Sequence, residues 1–116
     1  MIYDYRKNIT EDIKKEVEDY CTYTSQSIED LSFDELYDYL WTCDNVTGNA
    51  SGSYTFNTWE ASEYLLHNED LLNEALESFG GDYKKAIESP EYADVTIRCY
   101  LLNECLTRAL EEEANQ

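Results

Sequence analysis

Apolar residues recur at helical spacing along most of the chain, which predicts a mainly helical protein. The first helix is predicted over residues 10–23, with Thr10 as its N-cap. A capping box begins the second helix, because Glu35 follows Ser32 at the required spacing and an apolar stripe comes directly after it. That stripe consists of Phe33, Leu36, Leu40 and Trp41.

Helical spacing resumes in the second half of the chain. A segment that begins at Asn57 or Thr58 is interrupted near His67 and Asn68 and then continues to Gly80, where a glycine pair stops the helix. A short helix is expected at about residues 82–88.

The last helix has its own start signal. Ser89 is the predicted N-cap, and Pro90 occupies the first helical position, which proline favours. The buried stripe is predicted to contain Val95, Cys99, Leu102, Leu106 and Ala109, widened by Tyr92, Leu101, Cys105 and Leu110. Residues 111–116 are expected to fray.

Residues 44–57 break the helical pattern. They are rich in Gly, Ser, Thr and Asn, which is the composition of a loop or of two short strands around a turn, and both alternatives stay open. The predicted fold is therefore mainly α: one compact helical bundle spanning residues 1–116, with a polar loop or small β-hairpin at 44–57. The predicted core is Leu36, Leu40, Trp41, Trp59, Leu65, Leu72, Leu76, Phe79, Leu102 and Leu106.

The balance of charged residues limits the classes of protein to which the chain can belong. The 116 residues include 26 Asp and Glu against 8 Lys and Arg, for a formal net charge of -18. That balance excludes a nucleic-acid binder with a basic surface and argues against binding to an anionic membrane. The aromatic content of 14% favours a folded domain over a disordered acidic chain. No apolar run is long enough to span a bilayer and the N-terminus lacks a signal peptide, so a cytoplasmic location is expected.

The two signs of charge are segregated along the chain. No lysine or arginine lies between Glu16 and Tyr83. Within this stretch Asp30, Asp34 and Asp38 recur every four residues, a spacing at which like charges on one helix cost roughly 0.2–0.5 kcal/mol per pair. Folding alone does not favour such a pattern, so we consider a binding function for it.

A DNA mimic is the leading functional hypothesis. Carboxylates one helical turn apart are separated by about 6 Å along the axis, and each DNA strand carries one phosphate per ~3.4 Å. The protein would occupy the nucleic-acid groove of a basic DNA-binding protein and would not bind nucleic acid itself. The predicted contact residues are Asp30, Asp34, Glu35, Asp38, Asp44, Glu60, Glu63, Asp70 and Glu74. Tyrosines interleaved with these acids, and the 44–57 loop, would add contacts to the partner.

Other interpretations stay open. The acids would also suit an ordinary solvated surface, and the loop and aromatic residues would suit a protein-interaction or accessory module that mimics nothing. A small enzyme that uses His67 and a cysteine is the remaining alternative. No catalytic motif supports it, and no catalytic residue is predicted. No cofactor or metal is predicted, because the four cysteines lack zinc-site spacing. They are expected to be reduced and mostly buried.

Two segments add a resemblance. The run from Val46 to Ala61, continued by His67 to Leu72, and the run from Asp94 to Leu102 resemble small acidic proteins of phages and mobile elements of gut Firmicutes. The resemblance implies a mobile-element context in a bacterial host cell, in which small acidic proteins are often similar to anti-CRISPR or anti-restriction inhibitors. As the partner of the DNA mimic, the resemblance implies a CRISPR-Cas effector such as Cas9 or, second, a restriction enzyme. No catalytic residue is implied by it.

Overall fold

The structure is a computed structural model that describes residues 5–43, 46, 58–79 and 90–114, without the side chains of 59, 60, 78, 79 and 90–95. This part of the chain forms five α-helices and one 3-10 turn. The helices are α1 (Tyr5–Thr24), α2 (Phe33–Trp41), α3 (Thr58–Leu66), α4 (Glu69–Phe79) and α5 (Pro90–Ala114), and the 3-10 turn η1 (Ile28–Asp30) precedes α2. The mainly α prediction is confirmed. No helix within the described ranges is long and apolar enough to cross a membrane.

Helix α1 is longer at its start than predicted. Thr10 is not the N-cap, because it lies in the second turn of the helix and its hydroxyl donates to the carbonyl of Arg6 at 2.7 Å. A threonine can make this bond inside a helix as readily as it can cap one, so the residue type alone was ambiguous. The helix ends near Ser25, whose φ of 57° lies in the left-handed region.

The capping prediction for α2 is confirmed in part. Ser32 is the N-cap, and its side chain accepts a hydrogen bond from the backbone N–H of Glu35 at 3.1 Å. The carboxylate of Glu35 accepts a hydrogen bond from the hydroxyl of Tyr20 on α1 at 3.0 Å. A long-range contact therefore competes with the local return bond of the capping box.

The predicted interruption between α3 and α4 is confirmed at the predicted residues. Helix α3 ends at Leu66, and the side-chain amide of Asn68 donates to the carbonyl of Tyr64 at 2.6 Å. The carbonyl of Asn68 then accepts from the N–H of Leu72 at 2.9 Å, which starts α4. One asparagine thus ends the first helix and begins the second.

Helix α5 is the centre of the fold, since α1, α2 and α3 all pack against it. Neighbours on several sides bury a broad face, which includes Ile97 as well as the predicted Leu101, Leu102, Cys105, Leu106 and Ala109. The predicted fraying at 111–114 is wrong, because the helix continues to Ala114. Glu112 in this last turn forms an ion pair with Lys14 of α1.

One hydrophobic cluster joins all five helices. Of the predicted core, Leu36, Leu40, Leu65, Leu76, Leu102 and Leu106 are fully buried. Trp41 and Leu72 are only half-buried and pack at the edge of the cluster, because each lies at the side of its helix's apolar stripe. The side chains of Trp59 and Phe79 lie outside the described part of the chain. The core also contains Tyr5 and Ile9, which precede the helix start predicted from sequence.

Several predictions fall on residues that the structure does not describe. These are the loop or hairpin at 44–57 apart from Val46, the glycine stop at Gly80, the short helix at 82–88 and the Ser89 cap. Val46 is fully buried, and its N–H donates to the carbonyl of Cys43 at 3.1 Å. Pro90 is the first residue of α5, as predicted.

Candidate interaction surface

Two cations of α1 form ion pairs with carboxylates of α5. The guanidinium of Arg6 donates to the carboxylate of Glu104, and the ammonium of Lys14 pairs with Glu112. Both pairs advance in the same direction along the two helices, so α1 and α5 run side by side in parallel. These two positive charges are neutralised within the scaffold and do not offset the acids elsewhere on the surface.

The outward side of α2 carries two acids with no such neutralisation. Leu36 and Leu40 face the core, and at 100° per residue the opposite side of the helix belongs to Asp34 and Asp38. Both aspartates are exposed, and neither forms an ion pair with any described residue. They lie one turn apart, about 6 Å along the axis.

Tyrosines join this acidic side of α2 to α1. The rings of Tyr20 and Tyr39 lie 4.4 Å apart, and the hydroxyl of Tyr20 donates to Glu35. That hydrogen bond raises the pKa of Tyr20, because it stabilises the neutral phenol beside a carboxylate. Burial raises the pKa of Tyr39, and the nearby carboxylates of Glu16 and Asp19 raise it further. Both phenols therefore stay neutral and act as hydrogen-bond donors.

Asp30 has a structural role that the sequence pattern missed. It lies in η1, before α2 begins, and its carboxylate accepts hydrogen bonds from the N–H and hydroxyl of Ser27 at 3.4 and 3.1 Å. The four-residue recurrence of aspartates is thus not one helical row. Only Asp34 and Asp38 share a helix, because the extended backbone of Leu31 and Ser32 separates η1 from α2.

The remaining predicted contact residues lie on α3 and α4. Glu63 is half-exposed and lies 3.7 Å from the imidazole of His67 on the next turn. Asp70 and Glu74 are exposed one turn apart on α4. Asp44 and the side chain of Glu60 lie outside the described residues.

Tyr23 is the most exposed large hydrophobic side chain among the described residues, with 89% of its surface accessible. It follows Tyr20 by three residues, so both lie on the same side of α1. Aromatic side chains of this kind are enriched at protein interfaces. The predicted surface tyrosines differ in environment, since the hydroxyl of Tyr37 donates to the carbonyl of Cys99 at 3.3 Å and belongs to the α2–α5 contact.

An aromatic row on α2 faces α5. Phe33, Tyr37 and Trp41 follow one another along the helix at ring distances of 6.3 and 6.4 Å. The guanidinium of Arg98 on α5 lies 5.4 Å from the ring of Trp41. The Arg98–Trp41 contact adds to the packing of α2 on α5, beside the two buried leucines of α2.

The cysteines and the histidine do not assemble into a site among the described residues. All four cysteines are free; Cys105 is buried, and the others are half-buried. His67 is largely exposed beside Glu63. In the described ranges no group of His, Cys, Asp or Glu side chains has the arrangement of a metal centre.

Comparison with known proteins gives no relative: no protein-family model, curated protein or solved structure matches the chain.

Proposed function

We propose that the protein is a mobile-element-encoded inhibitor that acts as an acidic DNA mimic. It occupies the nucleic-acid groove of a bacterial defence nuclease, a CRISPR-Cas effector such as Cas9 in the first instance and a restriction enzyme in the second. Inhibition is by competition, without turnover. The observation that carries the proposal is the pair Asp34 and Asp38 on the outward side of α2, both exposed and neither in an ion pair with a described residue.

The distribution of charge supports this proposal. Lys14 and Arg6 pair with acids of α5, so part of the small positive charge of the chain is used inside the scaffold. Asp34 and Asp38 of α2, and Asp70 and Glu74 of α4, form no ion pair with any described residue. A field of one sign steers a partner of the opposite sign and raises its association rate.

The neighbouring tyrosines support a protein partner. Tyr20 and Tyr39 form a rigid pair next to Glu35, and Tyr23 extends beside them. Arginine side chains that bind DNA phosphates also stack on aromatic rings and pair with carboxylates. A basic groove would therefore find both kinds of contact on one surface.

A non-mimic interaction module is the second candidate, and the exposure of Tyr23 is the observation that favours it. In that case aromatic contact would carry the affinity, and salt would have little effect on it. In the mimic, affinity should fall steeply with salt and with competing duplex DNA.

Charge reversal at two positions tests the proposal. The variant Asp34→Lys with Asp38→Lys is compared with the matched control Glu11→Lys with Glu111→Lys, which changes net charge equally at exposed positions of α1 and α5. Each protein is titrated into guide-loaded Cas9, and into a restriction endonuclease, while binding of fluorescent duplex DNA is followed by anisotropy. We expect the wild type and the control to displace DNA and the α2 variant to lose at least about tenfold in potency.

The result that contradicts mimicry is full competition by the α2 variant. Binding to the nuclease without displacement of DNA would place the site off the groove and favour the non-mimic module. A pull-down at low and high salt from a lysate that contains the loaded effector extends the test to other nucleases. Circular dichroism of both variants checks that the fold is intact.

A further inference from the structure

We infer that a groove along α1 is a docking site for a short cationic segment of a partner protein. One large apolar side chain of that segment would anchor it in the groove. The groove lies between the C-terminal half of α1, η1 and the last turns of α5. It is separate from the acidic side of α2, and the inference does not rest on the proposed function.

The floor of the groove is apolar. Val17 and Cys21 of α1, Ile28 of η1, and Ala109 and Leu110 of α5 line it. Val17 and Ala109 are buried, whereas Cys21, Ile28 and Leu110 are half-buried and keep part of their surface open to the groove. Water molecules over an apolar floor find no hydrogen-bond partners there. An apolar side chain that displaces this water therefore binds favourably.

The size of the groove sets the kind of anchor. Its volume is about 230 Å³. An apolar cavity of roughly 150 Å³ is sufficient for a benzene molecule. One aromatic or branched aliphatic side chain therefore fits, and a drug-sized or lipid ligand does not.

The rim of the groove sets the charge of the segment. Glu18 and Glu113 lie at the rim and are exposed, and Lys14, the one cation among the described residues that line the groove, already pairs with Glu112. The rim is thus negative, and it complements arginine or lysine residues that flank the apolar anchor. An acidic or neutral segment would leave these carboxylates without partners.

A second copy of the chain is a poor occupant for the same reason. Each copy carries a net charge of -18, so close approach of two negative rims is repulsive. The occupant to which the charges point is a basic, apolar segment of another protein.

A displayed library of random peptides tests the inference. The library is selected on the full protein and counter-selected on a Leu110→Asn variant, which makes the floor polar at a half-buried position. We expect enriched peptides to contain one large apolar residue flanked by Arg or Lys. The consensus peptide and a version with Glu in place of each cation are then synthesised and titrated by anisotropy.

Two further variants separate the rim from the floor. Glu18→Lys with Glu113→Lys should weaken the consensus peptide by about fivefold to tenfold, since two exposed ion pairs are lost. Glu11→Lys with Glu111→Lys is the matched control and should have a much smaller effect. Leu110→Ala removes part of the apolar floor without adding a polar group, and it should weaken binding of the consensus peptide. It keeps the test available if Leu110→Asn fails to fold.

Three outcomes would overturn the inference. Enriched peptides without cations, or equal binding of the Glu-substituted peptide, would contradict the charge argument. Consensus binding that is unchanged in the rim variant and in Leu110→Ala would place the peptide elsewhere. Concentration-dependent dimerisation that Leu110→Ala abolishes would assign the groove to a second copy.

Discussion

Arg6 on α1 donates a hydrogen bond from its guanidinium to the carboxylate of Glu104 on α5, 98 residues later in the chain. Both side chains are largely shielded from solvent, at 20% and 27% exposure. This contact and the Lys14–Glu112 pair fix the first helix against the last. They also take two cations away from the surface, which links the stability of the fold to the charge of the exposed acids.

Loss of Arg6 should destabilise the fold. Arg6→Met keeps the length of the side chain but leaves Glu104 without its partner in a largely shielded position, so we expect a cost of about 1–2 kcal/mol in the free energy of unfolding. Urea denaturation measures it. Combining Arg6→Met with Glu104→Gln in a double-mutant cycle should recover part of the loss, and strict additivity of the two changes would show that the pair is not coupled.

Truncation of Leu106 should be much more costly than truncation of Leu72. Leu106 is fully buried on α5, so Leu106→Ala leaves a cavity and is expected to cost about 2–5 kcal/mol. Leu72 is half-buried at the edge of the cluster, so Leu72→Ala should cost about 1 kcal/mol. The two variants are matched in chemistry, and equal losses in urea denaturation would contradict the packing described for α4 and α5.

Protonation of Asp12 should make the protein more stable in mild acid than at neutral pH. Burial raises the pKa of its carboxyl to about 6, and the charges of Glu11 and Glu16 add to the effect. One carboxyl oxygen is also buried without a hydrogen-bond partner among the described residues. Because the folded protein holds this proton more tightly than the unfolded chain, the contribution of Asp12 is present below about pH 4 and is lost as the pH rises through 6.

The neutral variant isolates this effect. Asp12→Asn should raise the free energy of unfolding at pH 7 by about 1 kcal/mol, a modest gain because solvent screens a half-exposed charge. The difference from wild type should shrink toward pH 4. Glu18→Gln, at an exposed position on the same helix, serves as the control because Glu18 is not among the charges that act on Asp12. A gain that is constant between pH 4 and 7 would show that ionisation of Asp12 is not its cause.

Cys105 should be protected from thiol reagents. Burial raises the pKa of its thiol to about 12, and the thiol donates to the carbonyl of Arg6 at 3.8 Å. Cys21, Cys43 and Cys99 are half-buried and should react first with a disulfide reagent at pH 8. Mass spectrometry of the labelled protein identifies the sites. Labelling of Cys105 at the rate of the others in native protein would contradict its burial, and denaturant should equalise the four rates.

Helical periodicity and local start and stop signals made most of the helices predictable. The stop at Asn68, the Pro90 start and the Ser32 cap depend on neighbours within a few residues, so their signals are present in the sequence. The errors at Thr10 and at residues 111–114 have one cause. The actual ends of these helices are decided by long-range contacts, the burial of Tyr5 and the Lys14–Glu112 pair, which no local pattern reports.

The candidate surface divides in the same way. The net charge, the long stretch without cations and the one-turn spacing of Asp34 and Asp38 follow from residue order alone. Packing of the helices was needed to bring Glu35 to Tyr20 and to bring Glu18 and Glu113 to one apolar groove. These relationships join residues on different elements, and their geometry exists only once α1, α2 and α5 have packed around a common core.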